Sequence, residues 1–259
     1  MKINDVIAFL DVTFHPEYQE DYDNAGFLVG DGEAEYSGAL VALDLTEAVV
    51  AEAKRQGLNL IVTHHPFIFG GMRRVTDRTC SGRTLLEMIR SGIAAYAAHT
   101  NLDNMPDGVS GVLAERLGLH NCRILKPMAV GDNLGAGMVG ELDEAMPAEA
   151  FLSKVKQLLG LPVVRYSGEQ TAVRRVAVCG GSGSDFIADA IAARADAYLT
   201  ADLKYHDFQQ PEGRLLLADI GHYESEQFAR EIIYRAISEK FCNFACRISE
   251  CQQSIVRYI

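Results

Sequence analysis

The chain has 259 residues and a formal net charge of −11, and 48% of its residues are hydrophobic. That length suits roughly two domains of ~100–200 residues each, and that apolar content is ordinary for buried cores. The acidity opposes duplex nucleic acid, whose binding rests on Lys and Arg neutralising phosphates, so an anionic substrate would need a local source of positive charge.

The opening run Met1-Lys2-Ile3-Asn4-Asp5-Val6 breaks its apolar residues with charge and lacks a secretory hydrophobic region. No later stretch approaches the ~20 apolar residues of a membrane span. The six cysteines never form Cys-x-x-Cys, which removes the disulfide-framework and zinc-finger readings. A reducing cytoplasm is the expected location, with no membrane partner. Cys242, Cys246 and Cys251 are expected to be plain packing residues.

In chain order, Ile3 to Leu10 has helical spacing, and Asp21 to Gly30 reads as a polar loop entering a strand. Ala39 to Leu43 is a short strand. Thr46 caps a helix to Gln56, which Gly57 stops, and Leu58 to Thr63 is the next strand. A helix over about Thr84–Ser91, a strand over Ile93–Ala98 and a helix over Gly108–Leu117 follow. This alternation implies parallel pairing through right-handed crossovers, hence an α/β layer structure.

In such sheets ligands sit beyond the carboxyl ends of the strands. Leu60-Ile61-Val62-Thr63 ends in His64-His65-Pro66, and Pro66 keeps His65 out of a helix. His99-Thr100-Asn101-Leu102-Asp103 follows the next strand, so two histidines and an aspartate can meet there. Asp44 lies on the same edge and also fits the turn before the Thr46 cap.

Lys126 to Met146 carries four glycines and reads as the passage into a second domain. A helix over Pro147–Leu159 stops at Gly160. Arg175 to Cys179 is a strand entering Gly180-Gly181-Ser182-Gly183-Ser184-Asp185, then a helix to about Arg194. That loop fits a phosphate cradle or a tight turn capped by Ser184 or Asp185, but it lacks a Gly-Lys-Ser/Thr ending and the third glycine of a dinucleotide fingerprint. Strands over Ala197–Thr200 and Leu215–Ile220 complete the set. A helix then begins near His222, with Phe228, Ile232, Ala236 and Ile237 on one face.

On that helix His222 and Glu226 are four residues apart and share a face, whereas Glu224 points elsewhere and suits a first turn. His64, His65, Asp103, His222 and Glu226 are therefore the residues best placed for a metal centre. Imidazole and carboxylate suit first-row transition ions. Five such ligands are too many for one catalytic zinc and fit two ions sharing a carboxylate.

The motifs His64-His65-Pro66, His99 to Asp103, Gly180 to Gly183 and Gly221-His222-Tyr223-Glu224-Ser225-Glu226 together resemble the GTP cyclohydrolase 1 type 2 homologues, the Nif-three-like dinuclear-metal family. The likeness runs from Asp23-Asn24 through Thr200 to His206 and covers essentially the whole chain. Tyr22 stands where that family usually has Trp, and Ala201 where Gly is usual. The resemblance implies two similar layered α/β domains with mostly parallel sheets. Its expected boundaries are residues 1–125, completed by 222–259, and residues 126–221. It implies two divalent transition ions (zinc, iron, manganese or nickel), with His65 and Asp103 on one, His64 and His222 on the other, and Glu226 bridging. It also implies a toroidal homohexamer and a hydrolase acting on a nucleotide or pterin-like substrate, with Lys204 and His206 as candidates for phosphate contact or proton transfer. A metal carrier or insertion factor, and a metal-stabilised interaction protein, are the competing readings.

Overall fold

The computed structural model describes residues 1–129, 131–251 and 254–259. Its strands are β1 (Gly26–Val29), β2 (Gly38–Ala42), β3 (Leu60–Thr63), β4 (Ala94–Ala97), β5 (His120–Met128), β6 (Gly131–Pro147), β7 (Arg165–Ser167), β8 (Ala172–Ser182), β9 (Ala197–Ala201), β10 (Leu216–Asp219) and β11 (Ala245–Ile248). The helices are α1 (Ile3–Phe14), α2 (Glu47–Gln56), α3 (Cys80–Ser91), α4 (Thr100–Asp103), α5 (Val109–Leu117), α6 (Ala148–Leu159), α7 (Ile187–Ala192), α8 (His222–Glu226) and α9 (Ala229–Lys240). Among the described residues, no helix is long and apolar enough to cross a membrane.

The chain divides into two compact α/β units, one of Met1–Leu102 with Ala229–Gln253, the other of Asp103–Phe228 with Ser254–Ile259. In the first, strands run in the order β1-β4-β3-β2-β11, and all pairings but β1–β4 are parallel. Leu40, Ala42, Ile61 and Ala95 form one core with Val49, Val50 and Ala53 of α2 and Leu85 and Met88 of α3. The period-two alternation of strands sends Val41, Val62 and Tyr96 to the opposite face. There Tyr96 donates to Asp11 of α1, and α9 packs on β2.

Short apolar runs with glycine stops explain why these elements form where they do. Thr46 Oγ1 accepts from Val49 N, and Gly57 ends α2 in the left-handed conformation, as its position after the helix dictates. β11 lacks a strong hydrophobic pattern and is held at the sheet edge by other means. Glu52 of α2, fully buried, accepts from Ser249 Oγ at 2.5 Å and from Glu250 N at 3.1 Å. Burial alone would raise its pKa, but these donors outweigh it and hold the carboxyl below its ordinary value.

In the second unit the order is β5-β6-β8-β9-β10-β7, with a parallel centre, β8-β9-β10, between antiparallel flanks. Val176, Val178, Leu199 and Ala218 face a core shared with Leu113 of α5 and Phe151 and Val155 of α6. Ala177, Cys179, Tyr198 and Leu217 face the other side, against Ile187 and Ala190 of α7.

The structure differs from the sequence reading at several points. Residues 126–128 and 131–146 are no linker but strand residues of β5 and β6, and Gly135 is needed because a Cβ there would overlap the Lys126 carbonyl. With α5 also packed on β6 and β8, the passage between units falls near residue 102 instead of 125. The helix expected from His222 onward breaks at Gln227–Phe228. Phe228 joins the second unit's core under Arg116, while Ile233 and Ile237 are buried on α9. Cys242 and Cys251 are exposed and Cys246 half-buried, because an edge strand and its flanks need no apolar packing; Cys179 alone of the six is buried.

The Glu52 contacts generate an expectation. A carboxyl with a lowered folded pKa contributes stability that is present above its unfolded value and lost as pH falls through the folded one. Glu52→Gln should therefore destabilise the chain by about 1–3 kcal/mol at neutral pH. The gap from wild type should narrow in acid, as denaturant unfolding at both pH values will read.

Candidate functional site

Each unit carries its own set of donors at the carboxyl edge of its sheet. In the first, β3 and β4 pair in parallel with Thr63 opposite Ala97, so the residues that follow, His64-His65 and Ala98-His99, emerge side by side. Ring centroids of His64 and His65 lie 5.1 Å apart, His64 and His99 5.3 Å, and His65 and His99 5.7 Å. One ring nitrogen from each of the three lies within 4.8 Å of the others, close enough to share an ion.

The same register supplies each ring with an acceptor at Nδ1. His64 Nδ1 meets the Ala98 carbonyl at 2.7 Å, and a carbonyl can only accept, so the proton sits on Nδ1. β2 pairs with β3 so that Asp44 comes beside His65, and Asp44 Oδ1 lies 2.7 Å from His65 Nδ1. β1 runs antiparallel to β4 with Gly26 opposite Ala97, which carries the chain before Gly26 past the chain after Ala97. Asp23 Oδ1 thereby reaches His99 Nδ1 at 2.8 Å. Burial would raise the Asp23 pKa, but His99, the Thr100 hydroxyl and the Asn24 N–H outweigh it and bring the value down to about 2; Thr100 N also donates to the carboxylate. Asn101 fixes this corner, accepting from His99 N at 2.8 Å and donating to the Phe14 carbonyl at 2.7 Å.

The second unit assembles its donors by the same rule. β9 and β10 are parallel with Thr200 opposite Asp219, so Asp202 arrives beside His222 and its Oδ2 lies 2.8 Å from Nδ1. Asp202 adopts a positive φ of 58°, which aspartate tolerates better than most residues. Asp219 holds the turn, accepting from Leu203 N, from Gly221 N and from Arg165. His222 Nε2 meets Glu226 Oε2 at 2.8 Å, one helical turn along α8, and Glu226 is almost fully buried. Burial pulls the His222 pKa down, but Glu226 and Asp202 more than compensate and lift it to about 9.

The glycine loop serves this pair. Gly180 N donates to Ser110 Oγ and Gly181 N to Ser225 Oγ, so those two amides are engaged by protein groups and do not cradle a phosphate. Neither Ser184 nor Asp185 forms a side-chain cap. Gly181, at φ 62°, is required because a Cβ there would overlap Glu226 Oε1. Below it, burial pushes the Cys179 thiol up to about 12, and the charges of Asp103 and Glu226 add to the effect. Lys204 and His206 are exposed; Lys204 N donates to Asp207, and His206 Nδ1 lies 3.4 Å from Gln209.

Of the expected ligands, His64 and His65 stand together in the first unit, and His222 and Glu226 in the second, where Asp103 adds its charge near Cys179. The sequence reading missed His99 as a donor and gave Asp23 and Asp202 no role. It favoured Asp44 as a turn residue, although Asp44 backs His65. All four lie within or just before motifs already visible, and strand register is the signal that assigns them.

Fold and donors define an α/β protein with imidazole and carboxylate groups of the kind that hold transition metals. The chain belongs to the Duf34/NIF3 (NGG1p interacting factor 3) family, whose model matches residues 1–254. It is 37% identical over 230 residues to the GTP cyclohydrolase 1 type 2 homolog of Clostridium perfringens, covering 87% of each chain. A Staphylococcus aureus hypothetical protein superposes with a TM-score of 0.92 at 30% identity, over 100% of this chain and 99% of that one. A Bacillus cereus protein related to NIF3 shares the fold with a TM-score of 0.94 at 24% identity, over 100% and 99% of the two chains.

If Asp202 helps hold the His222 proton, Asp202→Asn should bring the His222 pKa of metal-free protein down from about 9 toward its ordinary value. Imidazole NMR titration measures it, and an unchanged value would assign the whole shift to Glu226.

Proposed function

We propose that this chain is a metal-dependent hydrolase in which His64, His65, Asp103, His222 and Glu226 hold two divalent transition ions. In this reading His65 and Asp103 serve one, His64 and His222 the other, and Glu226 both, with His99 adjoining. One observation carries it. Four histidines each meet an oxygen acceptor at Nδ1, which commits the Nδ1 proton and leaves Nε2 as the nitrogen for an ion, that of His222 lying beside Glu226. Histidines that ligate metals are oriented in just this way by a second partner. A purely structural imidazole has no need of the same tautomer four times over.

Bound there, the ions would supply a water of lowered pKa and positive charge to face an anionic substrate. The chain's own groups do the rest. Asp23, Asp44, Asp202 and the Ala98 carbonyl fix ring orientation. His99 Nε2, backed by anionic Asp23, can accept a proton. The substrate class we propose is a nucleotide or pterin-like ring, in keeping with the name carried by the Clostridium relative. Lys204 and His206, both exposed, are candidates for phosphate contact. We also propose a closed homohexamer, since closed symmetry is the rule for soluble oligomers.

Elemental analysis of purified protein tests the centre. Wild type should carry close to two transition ions per chain. Glu226→Gln should lose nearly both, because it removes negative charge from each; His222→Ala should lose about one, and Glu224→Gln neither. A screen of nucleotides and pterins with the loaded protein tests turnover. Exchangeable metal without turnover of any of them would favour the carrier reading. A stable monomer at micromolar concentration in light scattering would remove the hexamer.

A further inference from the structure

Beside the three histidines of the first unit lies an aromatic corner to which nothing above gives a role. Tyr22 is 65% exposed and Phe69 51% exposed. Their ring centroids are 6.3 Å apart at an interplanar angle of 53°, tilted and not stacked on each other. Phe69 is also edge-on to His99, with centroids 6.0 Å apart at 83°. Scattered surface aromatics are common and need no explanation. Two features set this pair apart.

The first is rigidity. The loops that carry the two rings are tied together by Asn24 Nδ2 donating to the Ile68 carbonyl at 2.5 Å. Gln19 Oε1 accepts from Ala25 N at 2.8 Å, and Asp23, next to Tyr22, is locked under His99. Phe67, Ile68 and Met72 are partly buried and pack on the core, while Phe69 turns out. An exposed ring whose loop is anchored in this way costs less ordering when a ligand binds.

The second is charge. In a chain of net charge −11, three exposed arginines, Arg73, Arg74 and Arg78, lie four, five and nine residues after Phe69. Arg73 follows Phe69 by four residues, so their backbones are at most about 14 Å apart. The chain's acidity calls for a local cationic patch if the substrate is an anion, and this loop supplies one.

We infer that Tyr22 and Phe69 stack the base of a purine nucleotide and that Arg73 and Arg74 take its phosphate, setting the base at the edge of the histidine cluster. Every base has a π-face, and stacking on an aromatic side chain contributes about 1–3 kcal/mol per base. This inference rests on the substrate class proposed above and adds the residues that would select it.

Isothermal titration of the metal-loaded full chain with GMP and with ribose 5-phosphate tests it, using wild type, Tyr22→Ala, Phe69→Ala, Phe69→Leu and Arg73→Ala/Arg74→Ala, with metal content measured on the same samples. Phe69→Ala should weaken GMP about tenfold or more. Tyr22→Ala should act in the same direction, and Phe69→Leu should not restore affinity, because leucine keeps the bulk without the π-face. Ribose 5-phosphate should bind these three like wild type, and the arginine variant should weaken both probes. GMP affinity that is unchanged in Phe69→Ala and Tyr22→Ala overturns the inference, as does absence of GMP binding to loaded wild type. A change in oligomeric state that accounts for the affinity loss also overturns it, since a second copy would then cover the rings. Ring-dependent GMP binding with no turnover of any nucleotide or pterin in the screen above would sink the hydrolase reading alone.

Discussion

The hydrogen bond from His64 Nδ1 to the Ala98 carbonyl is the contact on which the first donor set depends. It joins the two chain segments just beyond the ends of neighbouring parallel strands, and it is possible only because β3 and β4 pair with Thr63 opposite Ala97. A slip by one residue would turn His64 to the other face of the sheet and leave a buried imidazole without this acceptor. Asp44 and Asp23 depend on the registers of β2 and β1 in the same way. The site chemistry is thus a property of sheet alignment before it is a property of any single side chain.

Much of this was legible in the sequence. The α2 boundaries follow from Thr46 and Gly57, and the His64-His65-Pro66 end of β3 follows from an apolar run meeting a proline. The four-residue spacing of His222 and Glu226 fixes the helix phase that lets their side chains meet. What escaped were effects of partners distant in sequence. β11 is held by Glu52, about two hundred residues away, and its own residues alternate too weakly to announce a strand. Asp23 and Asp202 look like ordinary loop acids until register brings each of them to a histidine.

The glycine loop teaches a narrower lesson. A strand, glycines and a helix invite a phosphate, and local pattern alone leaves that possibility open. In the fold, Gly181 makes room for a buried carboxylate, and the amides of Gly180 and Gly181 are spoken for by Ser110 and Ser225. The residue type is the same in both readings; what differs is whether the space is filled by a ligand or by the protein's own Glu226.

The discontinuity of the first unit has a bearing on synthesis. Its sheet needs β11, which leaves the ribosome after the whole of residues 103–228 has emerged. The second unit's sheet, by contrast, is drawn from one uninterrupted stretch, so it can organise while the chain is still growing. Once folded, that stretch acts as a compact tether between β4 and α9 in place of a long flexible loop, reducing the entropy lost when β11 docks beside β2. Until that docking, β2 is an open parallel edge of apolar residues. The last-made strand is therefore also the one that shields the nascent sheet from pairing with a neighbouring chain.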